Sequence, residues 1–335
     1  MISLASEITD GKGRRARVGW IFFDGECPVC TSLARRLRPA MEARGFGLAP
    51  LQSARVRALL ALPEEELLRE MRLLTADGKV VGGVGALLHV ARRIWWAWPL
   101  WALAQVRGSV LFAGPTGAGK TTALGAFLRA VPRDQCVRVV EEVRELNLTL
   151  SLHSSFYEAS GVSLNGERRY TLRDLIKVCL AMRVDMLCVG EVRGGEAFEL
   201  IRAVNAGGGF CCTIHSHSAQ RALTSLASAA KLAAGEMPDS TLRSIFSEAL
   251  DVVVYLDRHI TKGGGSQREC REIILVGPLT DGRNTWNTEP LFDRGGGELR
   301  WTGLMPDPEL TSRIERTLPD GVTLPMILEG EWSPE

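Results

Sequence analysis

One nonapeptide constrains this chain more than any other feature. Gly114-Pro115-Thr116-Gly117-Ala118-Gly119-Lys120-Thr121, followed by Thr122, fits the spacing G-x-x-x-x-G-K-[ST]. A short apolar run, Ser109–Ala113, precedes it, and a helical pattern, Lys120–Val131, follows. Glycines at these positions open backbone conformations closed to other residues, so consecutive N–H groups turn into one anion-sized nest. The helix start adds positive potential to the same spot. In this frame the Lys120 ammonium reaches the β and γ phosphates of a nucleotide, and the Thr121 hydroxyl ligates Mg²⁺. Lysine is scarce here, 6 residues against 34 Arg, so its presence at this position is informative.

The surrounding pattern says what kind of sheet carries the loop. Short apolar runs at Ser109–Ala113, Cys136–Val140, Met186–Val189, Phe210–Ile214 and Val252–Leu256 read as strands covered on both faces. Helical patterns separate most of them, at Lys120–Val131, Thr171–Arg183, Gly195–Ala203, Ser218–Ala234 and Ser240–Leu250. This alternation predicts a mainly parallel, doubly wound α/β sheet. Ligands of such sheets bind beyond the carboxyl ends of the strands. Those ends deliver Lys120 and Thr121, Glu141, Glu191 and His215 to one edge. Taken singly, Glu141 also reads as a solvated carboxylate and His215 as a satisfied polar residue. Together they supply what phosphoryl transfer needs: a carboxylate for water, one for hydrated Mg²⁺, and a donor near the γ-phosphate. Beyond Leu256, a turn at Lys262–Ser266 and the alternating Glu269–Val276 segment predict an antiparallel strand, and 277–335 reads as a β-rich appendage with a loose tail.

A different unit precedes the loop. Residues 1–17 read as a frayed leader, and 18–106 as a small domain of strands and helices. Val18–Phe23 is strand-like, Pro28–Arg44 helical, Phe46–Leu51 a second strand, and Met71–Leu74 with Lys79–Val81 a hairpin around Ala-Asp-Gly. Asp24-Gly-Glu-Cys27-Pro-Val-Cys30 sits between strand and helix, where a helix N-terminus favours thiolate. Three readings stand: a redox pair, half of a zinc site, or two inert thiols. The next cysteine is Cys136 and the only earlier histidine is His89, which gives a zinc site little to close with. Gly85–Ala104 reads as helical until Pro99, with Trp95, Trp96, Trp98 and Trp101 forming either a packed helix or an interfacial anchor.

Composition sets the outer bounds. At 335 residues the chain suggests two domains of roughly 150 each. A net charge of +1 removes a global basic field, so no specific nucleic-acid partner is expected. The opening residues lack a signal peptide's apolar core, and the longest apolar run, Ile94–Ala104, is too short to span a bilayer. Eight cysteines are too sparse for a disulfide scaffold; Cys136, Cys179, Cys188, Cys211, Cys212 and Cys270 sit in apolar surroundings and read as buried hydrophobes.

The four strand-end segments also carry a resemblance. Gly114–Thr122, Glu141–Leu146 (EEVREL), Met186–Arg193 (MLCVGEVR) and Thr213–Leu223 (TIHSHSAQRAL) resemble the signature boxes of the type II/type IV secretion ATPases, in the tight-adherence pilus and conjugation branch. The likeness runs over about 107–316 and takes in 172–185 and 291–303. It implies a RecA-like core at 107–260 with an appendage at 261–335, ATP and Mg²⁺ as ligands, and hydrolysis driving secretion or pilus assembly. Lys120 and Thr121 would bind phosphate and Mg²⁺, Glu141 would be the catalytic base, Glu191 would stand in the Walker B position, and His215 in the histidine box. It further implies a homo-oligomer, a hexameric ring, in the cytoplasm at the inner face of the membrane against a platform protein. The chain carries Ala181 and Ser160 where that family usually has arginines, Gly208 for a histidine and Val184 for a proline. Arg168, Arg169, Arg183 and Arg193 are the candidate phosphate or subunit partners that remain. The Asp24/Cys27/Cys30 unit resembles the DCC family of thiol-disulfide oxidoreductases, which implies a thioredoxin-like domain with Cys27 and Cys30 as its redox pair. The competing reading of the whole is an oxidoreductase carrying a non-hydrolysing nucleotide fold.

Overall fold

The computed structural model describes residues 19–43, 46–60, 63, 66, 71–75, 78–82, 86, 98–146, 153–159, 170–260, 266–279, 285–295 and 299–332. The expected leader, Trp95, Trp96, Ser160, Arg168, Arg169 and the turn at 262–265 lie outside these residues. The chain divides into two compact units, Met1–Ile94 and Trp95–Glu335.

In the first unit, strand β1 (Gly19–Phe23) leads through helix α1 (Pro28–Ala43) to β2 (Phe46–Pro50), parallel to it. A short helix, α2 (Ala54–Leu60), and an antiparallel hairpin of β3 (Arg72–Thr75) and β4 (Val80–Gly82) complete the sheet, in the order β2-β1-β3-β4. Alternation along β1 makes two small cores. Trp20 and Phe22 pack with Leu51, Val56, Leu60 and Leu74 on one face, and Ile21 packs with Ala34, Met41, Phe46, Leu48 and Leu73 on the other. Gly47 is the residue that lets Trp20 lie flat, since a Cβ there would stand 2.4 Å from the indole ring. The β-α-β unit followed by a hairpin is the small thioredoxin-like α/β domain expected from the sequence.

The second unit opens on helix α3 (Trp98–Gln105) and strand β5 (Val110–Gly114), followed by α4 (Lys120–Ala130), β6 (Val137–Glu141) and β7 (Ser155–Glu158). Then come α5 (Leu172–Ala181), β8 (Met186–Val189), α6 (Ala197–Asn205), β9 (Gly209–His215), α7 (Ala219–Lys231) and α8 (Asp239–Ala249). A long hairpin of β10 (Val252–Ile260) and β11 (Ser266–Gly277), strands β12 (Asn287–Asp293) and β13 (Arg300–Trp301), and helices α9 (Pro308–Glu315) and α10 (Leu324–Glu329) follow. All nine strands join one sheet in the order β13-β12-β11-β10-β5-β9-β8-β6-β7. From β10 to β7 every pairing is parallel, and β11 to β13 extend the sheet antiparallel. The parallel part is buried on both sides: Val110, Phe112, Val139 and Cys188 face one core, and Leu111, Ala113, Val140, Leu187 and Phe210 the other. Such strands lose the polar alternation of a half-exposed sheet, which is why they read as continuous apolar runs.

Four features depart from the sequence reading. Pro99 stands in the first turn of α3, which runs on to Gln105 and where its missing N–H costs nothing, while the helix expected before it falls on 87–97, outside the described residues. That helix, read as the end of the first domain, buries Trp98, Leu100, Ala102, Leu103 and Ala104 in the second unit's core, and Arg313 of α9 donates to its following carbonyl, Val106 O, at 2.7 Å. Residues 306–332 are not a loose tail: Leu310, Ile314, Leu324, Ile327 and Leu328 enter the same core, and Trp332 rests on Trp101 with ring centroids 5.6 Å apart. Strand β7 had no signal, because its residues Ser155–Glu158 are only partly buried. Trp98 and Trp101 thus take the packed role, not the membrane one. Among the described residues no helix is long and apolar enough to cross a membrane.

Candidate active site

The phosphate loop grows out of buried β5 and turns into α4, as its residues dictate. Gly117 and Gly119 hold φ of 74° and 98°, values that side-chain-bearing residues resist. Gly119 is the left-handed cap from which α4 starts. Lys120, only 7% exposed, folds back so that Nζ donates to the carbonyls of Gly114 at 3.0 Å and Pro115 at 3.2 Å. Burial pulls its pKa below the ordinary lysine value, partly offset by the charges of Glu191 and Glu145.

Neighbouring strand ends bring the other groups in. Parallel pairing sets Gly114 opposite His215. The His215 ring bridges two charges, with Nδ1 3.2 Å from Lys120 Nζ and Nε2 2.5 Å from Glu191 Oε1. A charged lysine leaves Nδ1 as acceptor, which puts the ring proton on Nε2, facing Glu191. That contact is off the line of a good hydrogen bond, and Glu191 Oε1 is buried without a well-aligned donor. Arg193 grips the other oxygen: Nη2 lies 2.5 Å and Nε 3.0 Å from Glu191 Oε2, while Nη1 reaches Glu142 at 3.1 Å. Hydrogen bonding to Glu191 holds Arg193 still further into its charged form.

The acidic box separates into two roles. Glu141 is 4% exposed, and its Oε1 accepts the N–H groups of Glu145 and Leu146, each at 3.2 Å. Burial raises its pKa above the usual glutamate value, against the pull of those two N–H donors. Glu145 is exposed and accepts a hydrogen bond from the Thr121 hydroxyl at 3.1 Å. Glu145 was not singled out from the sequence. The signal was its place four residues beyond Glu141, where an irregular loop held by Glu141 swings it back over the phosphate loop. Gly190, before Glu191, fits closely against this carboxylate: a Cβ there would stand 2.8 Å from Glu141 Cγ.

Thr116–Thr122, Glu141, Glu142, Glu145, Glu191, Arg193 and His215 therefore line one open cleft of about 940 Å³. Gly114 and Pro115 contribute the carbonyls that hold Lys120. Arg183 is exposed and makes no contact with this cleft. Arg268, from β11, was not anticipated and lines the cleft as well. Among the described residues, no three His, Cys, Asp or Glu side chains cluster closely enough to cage a metal. The donors present are a hydroxyl and carboxylates along an open cleft, which suits Mg²⁺ held through few protein ligands, phosphate oxygens and water.

In the first unit, Cys27 caps the start of α1 and Cys30 lies in its first turn, both partly exposed. The Cys30 N–H points to Cys27 Sγ at 3.4 Å. The hydrogen bond between the two thiols, followed by burial, raises the Cys30 pKa. Asp24 Oδ1 accepts from Glu26 N at 2.9 Å and Gln52 Nε2 at 2.5 Å, and these bonds lower its pKa. Gln52 Oε1 in turn accepts from Gly25 N at 2.8 Å, so one side chain pins the loop that presents the cysteines.

Comparison with known proteins agrees with both parts. Residues 99–262 match the family of type II/IV secretion system proteins, and residues 21–112 match the DCC1-like thiol-disulfide oxidoreductases. A putative conjugal transfer protein of Mycobacterium tuberculosis is 30% identical over 210 residues, 62% of this chain and 56% of its own length. The type IV secretion system protein PtlH of Bordetella pertussis is 31% identical over 219 residues, 63% of each chain. The chain thus spans 56% to 63% of the length of these relatives. Among solved structures, the VirB11 ATPase of the Brucella suis type IV secretion system, in complex with sulphate, is 26% identical with a TM-score of 0.47, covering 56% of this chain and 54% of that one.

Proposed function

We propose that this chain, a type II/IV secretion system domain behind a DCC1-like domain, binds and hydrolyses ATP as a motor component of a secretion, conjugation or pilus apparatus. The observation that carries the reading is the convergence of Lys120, Thr121, Glu145, Glu191 and His215 on one cleft at the mouth of the phosphate loop. The nest of Gly114–Thr122 receives the polyphosphate, and Lys120 leaves its two carbonyl partners for phosphate oxygens. Mg²⁺ would be held by the Thr121 hydroxyl with Glu191 behind it, and would supply charge neutralisation for the polyphosphate. Glu145, the partner of the Thr121 hydroxyl, presents an exposed carboxylate that can take the proton of a water. The sequence reading gives the base to Glu141; the geometry favours Glu145 in that role, with Glu141 fixing the loop that carries it. His215, with its proton on Nε2 and Lys120 on Nδ1, links phosphate occupancy to Glu191.

The domain reading goes with this: a leader at 1–17, a thioredoxin-like domain reaching to the start of α3, a RecA-like core and a C-terminal extension of the same sheet. Relatives named as a putative conjugal transfer protein and a type IV secretion system protein support the kind of apparatus; the homo-oligomeric ring, acting in the cytoplasm at the inner membrane face on a platform protein, is carried over from the family resemblance. Placement of Cys27 at a helix start supports thiol-disulfide exchange by the first unit. The test is ATP turnover by the purified chain, wild type against Lys120→Ala, with its mass in solution. No turnover by the wild-type chain, with nucleotide bound, would leave the non-hydrolysing alternative.

A further inference from the structure

Two arginines stand where the sheet overhangs the phosphate loop. Arg258 on β10 and Arg268 on β11 are directly opposite each other across the hairpin. Like charges paired across strands destabilise a sheet, and the two do not turn away from each other's target. Arg268 Nε donates to the carbonyl of Gly117 at 2.6 Å. The Arg258 guanidinium lies against the same residue, its Nη1 only 2.6 Å from where a Cβ on Gly117 would stand. Glycine at 117 is favoured by its φ of 74°, and its lack of a side chain lets this guanidinium come close.

The hairpin that carries them is well fixed. β10 runs parallel to β5 from Val252 to Tyr255, so its far end is held beside the strand that launches the loop. The neighbouring carboxylate, Glu269, is engaged elsewhere: Oε1 pairs with Arg271 at 3.1 Å and Oε2 with Arg294 at 3.0 Å. It braces the hairpin and does not neutralise Arg268. With Nε bound to Gly117 O, the rest of the Arg268 guanidinium lines the cleft that Lys120 and Thr121 also line.

We propose that Arg268, with Arg258 beside it, forms a cationic clamp from the same chain that binds the polyphosphate of the nucleotide at the tip of the phosphate loop. The inference rests on the nucleotide-binding reading above and adds a binding element to it. The fork geometry of guanidinium suits phosphate oxygens. This charge comes from within the chain, in contrast to arginines that a second subunit would have to supply.

The experiment measures binding of ATP, inorganic pyrophosphate and adenosine to the full chain over a range of salt, for wild type, Arg268→Gln, Arg268→Lys and Arg258→Gln/Arg268→Gln. Loss of one charge–phosphate contact is expected to weaken ATP and pyrophosphate about fivefold in Arg268→Gln, with a flatter salt dependence. The double variant should be weaker still, Arg268→Lys intermediate, adenosine unchanged, and all melting temperatures within about 1 °C of wild type. If Arg268→Gln binds pyrophosphate as wild type does, the clamp is wrong while the nucleotide site stands. Weakening that is equal for adenosine and ATP also overturns it. A wild-type chain that binds neither ATP nor pyrophosphate overturns both the clamp and the site.

Discussion

Substitutions at Glu141 and Glu145 separate two carboxylates that a sequence motif presents as one. Glu141→Ala removes the acceptor of two backbone N–H groups, those of Glu145 and Leu146. A buried donor left without a partner costs about 1–3 kcal/mol, and the Leu146 N–H is the more deeply buried, so about 3 kcal/mol in total is a fair sum. For a domain of this size that corresponds to a melting temperature lower by about 6–12 °C. Glu141→Gln keeps a carbonyl oxygen for both donors and should melt close to wild type. Its pH dependence has a defined sign. Burial raises the folded-state pKa of Glu141 above its unfolded value, so its contribution to stability is present at low pH and is lost as pH rises through the raised pKa. The glutamine variant carries no such loss, so its melting temperature relative to wild type should increase from pH 4 to pH 8. Glu145→Gln touches an exposed side chain and should change stability by less than about 0.5 kcal/mol. If Glu145 is the base, that variant still binds ATP while turnover falls by about 10²–10⁴. Thermal unfolding by circular dichroism, with phosphate release at saturating Mg-ATP, reads both quantities. Wild-type turnover in Glu145→Gln together with an unmelted but inactive Glu141→Gln would reverse the two roles and refute the argument from exposure.

Other outcomes follow from the same geometry. Lys120→Ala should lose ATP affinity by at least about 100-fold, as measured by equilibrium binding, because a charged donor set to phosphate disappears. Cys27 should be alkylated faster than Cys30 below pH 8, since it stands at the start of α1 while its own sulfur holds the Cys30 thiol above the usual range; mass mapping of partly alkylated protein checks this, and equal rates with stoichiometric zinc would favour a metal site. Truncation after Gly303 should yield insoluble or strongly destabilised protein, because Leu310, Ile314, Leu324, Ile327 and Leu328 are core residues. Sedimentation with and without Mg-ATP should show nucleotide-dependent self-association; a strictly monomeric, nucleotide-saturated chain would remove the ring from the functional reading.

What the sequence disclosed and what it hid divide along a physical line. The buried parallel strands were legible because burial on both faces writes itself as short apolar runs. β5, with all five residues buried, appeared within one residue of its place. The phosphate loop was legible because its glycines and Lys120 answer a geometric demand within a few successive residues. The helices α9 and α10 were not: each is short and surrounded by Gly and Pro, and their apolar residues find partners in α3, about 200 positions away, and in strands β10 to β12. Pro99 misled for a related reason, since a proline stops a helix or begins one according to what packs around it. Glu141, Glu191 and His215, expected from what stands at strand ends, line one cleft. Glu145 and Arg268 escaped that expectation, because one arrives on an irregular loop and the other on an antiparallel strand running the opposite way. Both were present as charges, and neither had an address until tertiary contacts supplied one. A site assembled partly from such residues can keep its motif intact and still change its affinity for phosphate through the hairpin alone. Substitutions at Arg258 and Arg268 would therefore alter nucleotide binding in a chain whose four signature segments are untouched.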